Sequence, residues 1–295
     1  MIQDIYPKKL INVYREEKAG QDDSLMVFYE GRLFLKYDEI SGGLSFPRVG
    51  DYDPDRKALA GSLIYLFSVD EEKYFLAKDL PVILSEVKER GYECFTLREI
   101  RDFKTEEKHK VFAAYTAFHL WKWYSDNKFC GKCGGAFVHD SIEISGEKPP
   151  ERALFCPVCK NKIYPRINPA VIIGVTNGDS IMITKYRRGY AHSALIAGFT
   201  EIGETLEQTV EREVMEEVGL KVKNIRYYKS QPWGMALDLL VGFFCELDGD
   251  ETIKMDESEL KYAEWVKRED IILQPQEYSL TNEMMKLFKN GGEIF

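Results

Sequence analysis

The chain has 295 residues, 44% hydrophobic and 13% aromatic; that is long for one ordinary domain and allows two or three, each burying its own core. A net charge of −9 argues against broad, nonspecific attraction to nucleic acid and against long-range steering of an anionic substrate, while leaving room for a local basic patch. No apolar run approaches the roughly 18 residues of a membrane span, and the N-terminal MIQDIYPKKL lacks a signal-peptide core, so a cytoplasmic protein with no membrane partner is expected.

In chain order, residues 24–37, 62–77 and 91–98 read as strands, rich in β-branched and aromatic residues and separated by charged or glycine-containing turns. They predict an N-terminal α+β domain over residues 1–125, in which no catalytic constellation is visible. From about Thr105 to Asn127 the pattern is helical, with Val111, Tyr115, Phe118 and Trp121 to Trp123 on its apolar face. Cys130-x-x-Cys133 and Cys156-x-x-Cys159 follow, with 22 residues between the pairs. Two thiolate pairs on opposed knuckles complete a closed tetrahedron, so structural Zn²⁺ is expected in a ribbon over residues 126–167. A redox pair is disfavoured because no βαβ pattern surrounds either motif. Ile142 and Ile144 alternate and Gly146 to Pro150 form a turn, which places the ribbon's hairpin within residues 134–155. Cys94 and Cys245 lie in apolar, strand-like runs and read as core. His109, His119, His139 and His192 share no ligand spacing.

Pro169 to Thr176 reads as a buried strand, Ser180 to Tyr186 as its hairpin partner and residues 236–247 as a further core strand. Between them, Gly198 to Leu220 reads GFTEIGETLEQTVEREVMEEVGL. Thr205 caps a helix with Gln208 three residues on, and Gly219 ends it in the left-handed conformation. Leu206, Val210, Val214 and Val218 form an apolar stripe, and Glu213, Glu216 and Glu217 fall on a neighbouring face. Like charges at this spacing oppose the helix by a few tenths of a kcal/mol per pair, roughly, and Arg212, four residues before Glu216, offsets part of that. Bound divalent cations would compensate the rest. The bland alternative is a solvated acidic face.

The full pattern, Gly198, Glu204 and then Arg212-Glu213-Val214-Met215-Glu216-Glu217-Val218-Gly219-Leu220, resembles the complete Nudix box. The resemblance implies an α/β/α sandwich with a mixed sheet over residues 168–295 and hydrolysis of a nucleoside diphosphate linked to another group. It also implies Mg²⁺ or Mn²⁺ bound by Glu213, Glu216 and Glu217, with Arg212 orienting the glutamates. Three further segments narrow the match: Tyr164-Pro165-Arg166, Ala197-Gly198-Phe199 and Ser230-Gln231-Pro232-Trp233. With the zinc ribbon they resemble the NADH pyrophosphatase (NAD⁺ diphosphatase) family. Its members cleave NADH or NAD⁺ to nicotinamide mononucleotide and AMP, some remove NAD caps from RNA 5′ ends, and they are typically homodimers. By position, Tyr164 and Phe199 would be aromatic walls for the nucleotide, Trp233 would close the pocket, Gln231 would join the substrate site, and Glu259 would add a metal-binding carboxylate. Glu201 and Glu204 would be extra ligands or supports behind them. Arg166 would contact phosphate or anchor the ribbon.

The chain departs from the family after SQPW, where Gly234-Met235-Ala236-Leu237-Asp238 replaces a proline-rich turn and a looser loop is expected. Near the C-terminus Ser279-Leu280-Thr281 stands where Ser-Ile-Ala is common. Rival readings are a Nudix pyrophosphatase for ADP-ribose or dinucleoside polyphosphates, a hydrolase of NAD-capped RNA using Lys221, Lys223, Arg226 and Lys229, and a non-enzymatic sensor or nucleic-acid-binding ribbon. The intact set of box glutamates disfavours the sensor. The mixed charges between Gly134 and Phe155 disfavour the nucleic-acid ribbon.

Overall fold

A computed structural model describes residues 1–52, 63–78, 81–139, 150–187 and 192–292. Two compact units emerge, one of Asp4–Arg166 with Gly234–Ala236, the other of Met1–Gln3, Ile167–Trp233 and Leu237–Phe295.

In the first unit the expected strand over 24–37 is divided into β2 (Ser24–Met26), β3 (Phe28–Tyr29) and β4 (Arg32–Asp38), after a short β1 (Leu10–Ile11). Glu30 and Gly31 both adopt positive φ and make the two-residue turn that pairs Tyr29 with Arg32. After β5 (Gly43–Ser45), residues 63–77 form a hairpin, β6 (Leu63–Val69) and β7 (Glu72–Ala77), rather than one strand. Helix α1 (Pro81–Glu89) precedes β8 (Glu93–Phe95). The run 91–98 then ends early, because Thr96 and Glu99 form a capping box that opens α2 (Leu97–Asp102). Strands β1, β6, β7 and β2 make one sheet, and β3, β4, β5 and β8 another. Helix α3 (Lys108–Asp126) buries Val111, Tyr115 and Trp123 as the apolar face predicts. The ribbon is a small antiparallel sheet of β9 (Val138–His139), β10 (Leu154–Phe155) and β11 (Lys162–Ile163). Ile142, Ile144 and all but the last residue of the Gly146–Pro150 turn lie outside the described residues. Gly234 packs against the Tyr115 carbonyl, which an added Cβ would overlap. That glycine permits a close approach, which corrects the expectation of a loosened loop.

The second unit is a three-layer sandwich around β12 (Asn168–Asn177), β13 (Ser180–Tyr186), β14 (Ile196–Phe199), β15 (Val222–Trp233), β16 (Asp238–Leu247) and β17 (Leu260–Lys267). The sheet is mixed: β12 and β16 are parallel and every other pairing is antiparallel. The two faces of β12 are both apolar, which is why its sequence reads as an unbroken hydrophobic run. Val171, Ile173 and Val175 pack on Val210, Val214 and Val218 of α4 (Leu206–Val218), while Ile172 packs on Met284, Met285 and Phe288 of α5 (Leu280–Lys289). The half-exposed, polar β15 carries little alternation in its sequence, whereas α5 is strongly amphipathic, with Leu280, Met284, Met285 and Phe288 on its buried face; neither is among the elements expected from the sequence. Among the described residues no helix is long and apolar enough to cross a membrane. Phe288 is fully buried, and Phe288→Ala is expected to cost about 3–5 kcal/mol, read as a lower urea midpoint at unchanged slope.

Candidate active site and metal centres

Helix α4 forms as its sequence predicts. Thr205 Oγ1 accepts the Gln208 N–H and the Gln208 side chain accepts the Thr205 N–H, while Gly219 closes the helix at φ 69°. The helix's last carbonyls are not left bare: Lys254 N–H donates to Val218 O and Asp256 N–H to Glu217 O, each at 2.9 Å. These bonds anchor the segment that leads, three residues later, to Glu259. The charge of Glu259 is felt by both Glu213 and Glu217.

Arg212 is the hub of the site. Its Nε donates to Glu204 Oε1 (2.6 Å), Nη1 to Glu213 Oε1 (2.7 Å) and Glu216 Oε2 (3.1 Å), and Nη2 to Glu204 Oε2 (3.0 Å) and Phe199 O (2.8 Å). All five guanidinium donors are thereby used, a pattern lysine cannot reproduce. The Arg212 fork holds the Glu204 carboxyl down at about 2, helped by the Glu201 N–H. Glu204, an undecided residue in the sequence, is therefore the clamp on Arg212. Its other contact is the buried Thr209 hydroxyl.

A Cβ at Gly198 would overlap the Glu213 carboxylate, so any side chain there must displace that carboxylate. This gives the glycine of the box a steric cause. Burial pushes the Glu213 carboxyl up against the pull of Arg212. Glu217 is the extreme case: it is 2% exposed, and its carboxyl is pushed up to about 8, first by burial and further by Glu213 and Glu259. Tyr186 donates to Glu217 Oε1 at 2.9 Å, but Glu217 Oε2 is buried without a hydrogen-bond partner. An unpartnered buried carboxylate oxygen costs several kcal/mol, roughly, unless a cation or proton meets it. A hard, oxygen-seeking divalent cation fits this donor set. Among the described residues these carboxylate oxygens do not gather as tightly as the four thiols do.

Among the described residues the four cysteines form the one group of ligand atoms lying within 4.8 Å of one another. Cys130 N–H bonds Gly135 O and Cys156 N–H bonds Asn161 O, each at 2.8 Å. Gly134 and Lys160, each four residues beyond the first cysteine of its pair, share positive φ and turn the two knuckles alike. The sulfurs of Cys130 and Cys159 are 3.6 Å apart and those of Cys133 and Cys156 3.5 Å. Such spacings are far too long for a disulfide and close to the ~3.8 Å edge of a tetrahedron with Zn–S bonds of about 2.3 Å. The cluster suits zinc.

A profile described as NUDIX domain matches residues 166–288. The chain is 33% identical over 254 residues to the NAD-capped RNA hydrolase NudC of Salmonella typhimurium, a match spanning 85% of this chain and 86% of that protein. It is 42% identical over 158 residues to the protein of the same name from an Enterobacter species, spanning 53% of this chain and 57% of that one. The chain belongs to the NADH pyrophosphatase family of Nudix hydrolases. Among solved structures, a NUDIX hydrolase from Nitrosomonas europaea aligns with a TM-score of 0.47 and 22% identity, covering 57% of this chain and 96% of that one.

The family's expected substrate residues are placed as follows. Phe199 is 55% exposed beside the box and Tyr164, in the first unit, is 54% exposed; the Tyr164 hydroxyl donates to Glu151 Oε2 at 2.8 Å. Trp233 ends β15 and is half-buried. Gln231 is fully buried, with Nε2 donating to Tyr278 O (2.7 Å) and Gln3 Oε1 (3.1 Å) and Oε1 accepting the Leu280 N–H (2.8 Å). It has no exposed atom for a substrate. These bonds fix the start of α5. Sequence reasoning missed Tyr186, for which a single sequence carries no local signal.

Two outcomes follow from this geometry. Gly198→Ala is expected to preserve the fold but lower turnover at least about tenfold by displacing Glu213, checked by kinetics beside circular dichroism. Because the folded protein holds a proton on Glu217 up to about pH 8, whereas the unfolded chain releases it near pH 4.5, this group's contribution is full at low pH and is lost as pH climbs between those values. The melting temperature of chelator-treated protein is expected to fall over that window, and Glu217→Gln to flatten the fall.

Proposed function

We propose that this chain hydrolyses the pyrophosphate bond of NADH and NAD⁺, giving nicotinamide mononucleotide, reduced or oxidised, and AMP. The observation that carries the reading is Glu217, a buried carboxylate with an orphaned oxygen on the helix that also presents Glu213 and Glu216. Glu213, Glu216, Glu217 and Glu259 would hold Mg²⁺ or Mn²⁺. Such an ion, when bound, neutralises phosphoryl oxygens and lowers the pKa of the attacking water. Arg212 contributes by fixing Glu213 and Glu216, and by tying Phe199 O to the same fork. Phe199 and Trp233 offer flat rings to a base, because every base has a π-face. Structural Zn²⁺ in the ribbon, a homodimer and a cytoplasmic setting, in which free thiols persist, complete the proposal.

A second reading, removal of NAD caps from RNA, is favoured by the name its relatives carry. The basic residues that would follow the RNA are partly committed: Lys223 pairs with Asp248 at 3.1 Å and Lys229 with Glu283 at 2.9 Å. Phosphate contacts along β15 would make cleavage of capped RNA fall steeply with salt while NADH cleavage does not.

Product analysis with NADH, NAD⁺, ADP-ribose and diadenosine polyphosphates is expected to give reduced nicotinamide mononucleotide plus AMP from NADH, lost in Glu217→Gln at saturating metal. A preference for ADP-ribose, or an unchanged rate in the variant, would contradict the proposal. Elemental analysis is expected to find one zinc per chain, lost in Cys133→Ser.

A further inference from the structure

The box accounts for the residues of α4, but one of the groups that fixes their geometry lies outside it. Tyr186 is the last residue of β13, on the sheet face shared with Met182, and its ring packs against the core beneath α4. Its hydroxyl meets Glu217 Oε1 at 2.9 Å and accepts the Ala197 N–H at 3.1 Å, with Ala197 O at 3.3 Å. Ala197 immediately precedes Gly198, on which the Glu213 carboxylate rests. One hydroxyl thus joins the carboxylate of Glu217 to the strand that seats Glu213.

The strand pairing explains how the residue comes to be there. Lys185 pairs with Tyr262 but Tyr186 with Leu260, so β17 carries an extra residue at this point. Such bulges re-aim side chains next to sites. Here it turns Leu260 into the α4 core, and Arg187 N–H then bonds Glu259 O at 2.9 Å. Tyr186 therefore stands between the segment carrying Glu259 and the helix carrying Glu217.

We infer that Tyr186 is a positioning residue for the metal site: its hydroxyl occupies Glu217 Oε1 and so presents Oε2, buried and unpartnered, to the divalent cation. The inference rests on the metal-dependent reading above and deepens it. Groups that orient a ligand in this way are typically worth about 10- to 100-fold in metal affinity. The ring fills the core whether or not the hydroxyl is present, so hydroxyl and packing are separable.

The test is the Mn²⁺ dissociation constant, read by electron paramagnetic resonance of the free ion, for wild type, Tyr186→Phe, Glu217→Gln and the double variant. Tyr186→Phe is expected to fold, by circular dichroism and melting in chelator, and to bind Mn²⁺ about 10- to 100-fold more weakly. In the Glu217→Gln background the same change is expected to alter residual binding less than about twofold, because the hydroxyl acts through that carboxylate. Wild-type affinity in Tyr186→Phe overturns the inference. An undiminished loss in the Glu217→Gln background, or a Tyr186→Phe chain that does not fold, overturns it too. Wild-type protein that bound no Mn²⁺ would overturn the metal-dependent reading itself.

Discussion

One guanidinium sets the terms for the catalytic half of this protein. Arg212 spends its five donors on Glu204, Glu213, Glu216 and the Phe199 carbonyl, and nothing of it reaches Glu217. Carboxylates crowded onto one helix face repel one another, and a single cation cannot balance them. The imbalance is concentrated at the buried Glu217 oxygen. An arrangement that costs stability on its own is expected at a site whose ligand supplies the missing charge.

The fold exists around that imbalance. The sheet's apolar interior holds α4 by Val210, Val214 and Val218, so the helix does not depend on its own poor charge pattern for stability. With the stripe pinned, the next face is forced toward β14, where Gly198 leaves room for Glu213. The helix's C-terminal carbonyls hold the segment 254–256, and Glu259 is brought alongside from a distant part of the chain. The ribbon obeys a different logic, in which two short knuckles with too little apolar mass for a core gather four sulfurs instead.

Features encoded locally were legible in the sequence. The Thr205 cap, the Gly219 stop, the valine stripe, the paired cysteines and the β12–β13 hairpin all depend on neighbours within a few residues, and each is present. What was not legible is long-range or visible only in three dimensions. Tyr186 meets Glu217 across 31 residues. Glu204 could be assigned to Arg212 only once the loop was seen folding back over eight residues. Gln231 bonds the Leu280 N–H, 49 residues away. Gly234 read as slack because glycine is permissive, whereas its missing Cβ serves close packing. Strand β15 escaped notice because its mixed exposure blurs the alternation on which strand recognition relies.

The central claim, that the uncompensated Glu217 oxygen is a cation ligand, is tested most directly by a crystal structure of the protein grown with Mn²⁺, with the ion located by its anomalous signal. The account predicts a peak within about 2.2 Å of Glu217 Oε2, with Oε1 still held by Tyr186. A peak absent from that oxygen, with Oε2 instead hydrogen-bonded to protein or water, would contradict it.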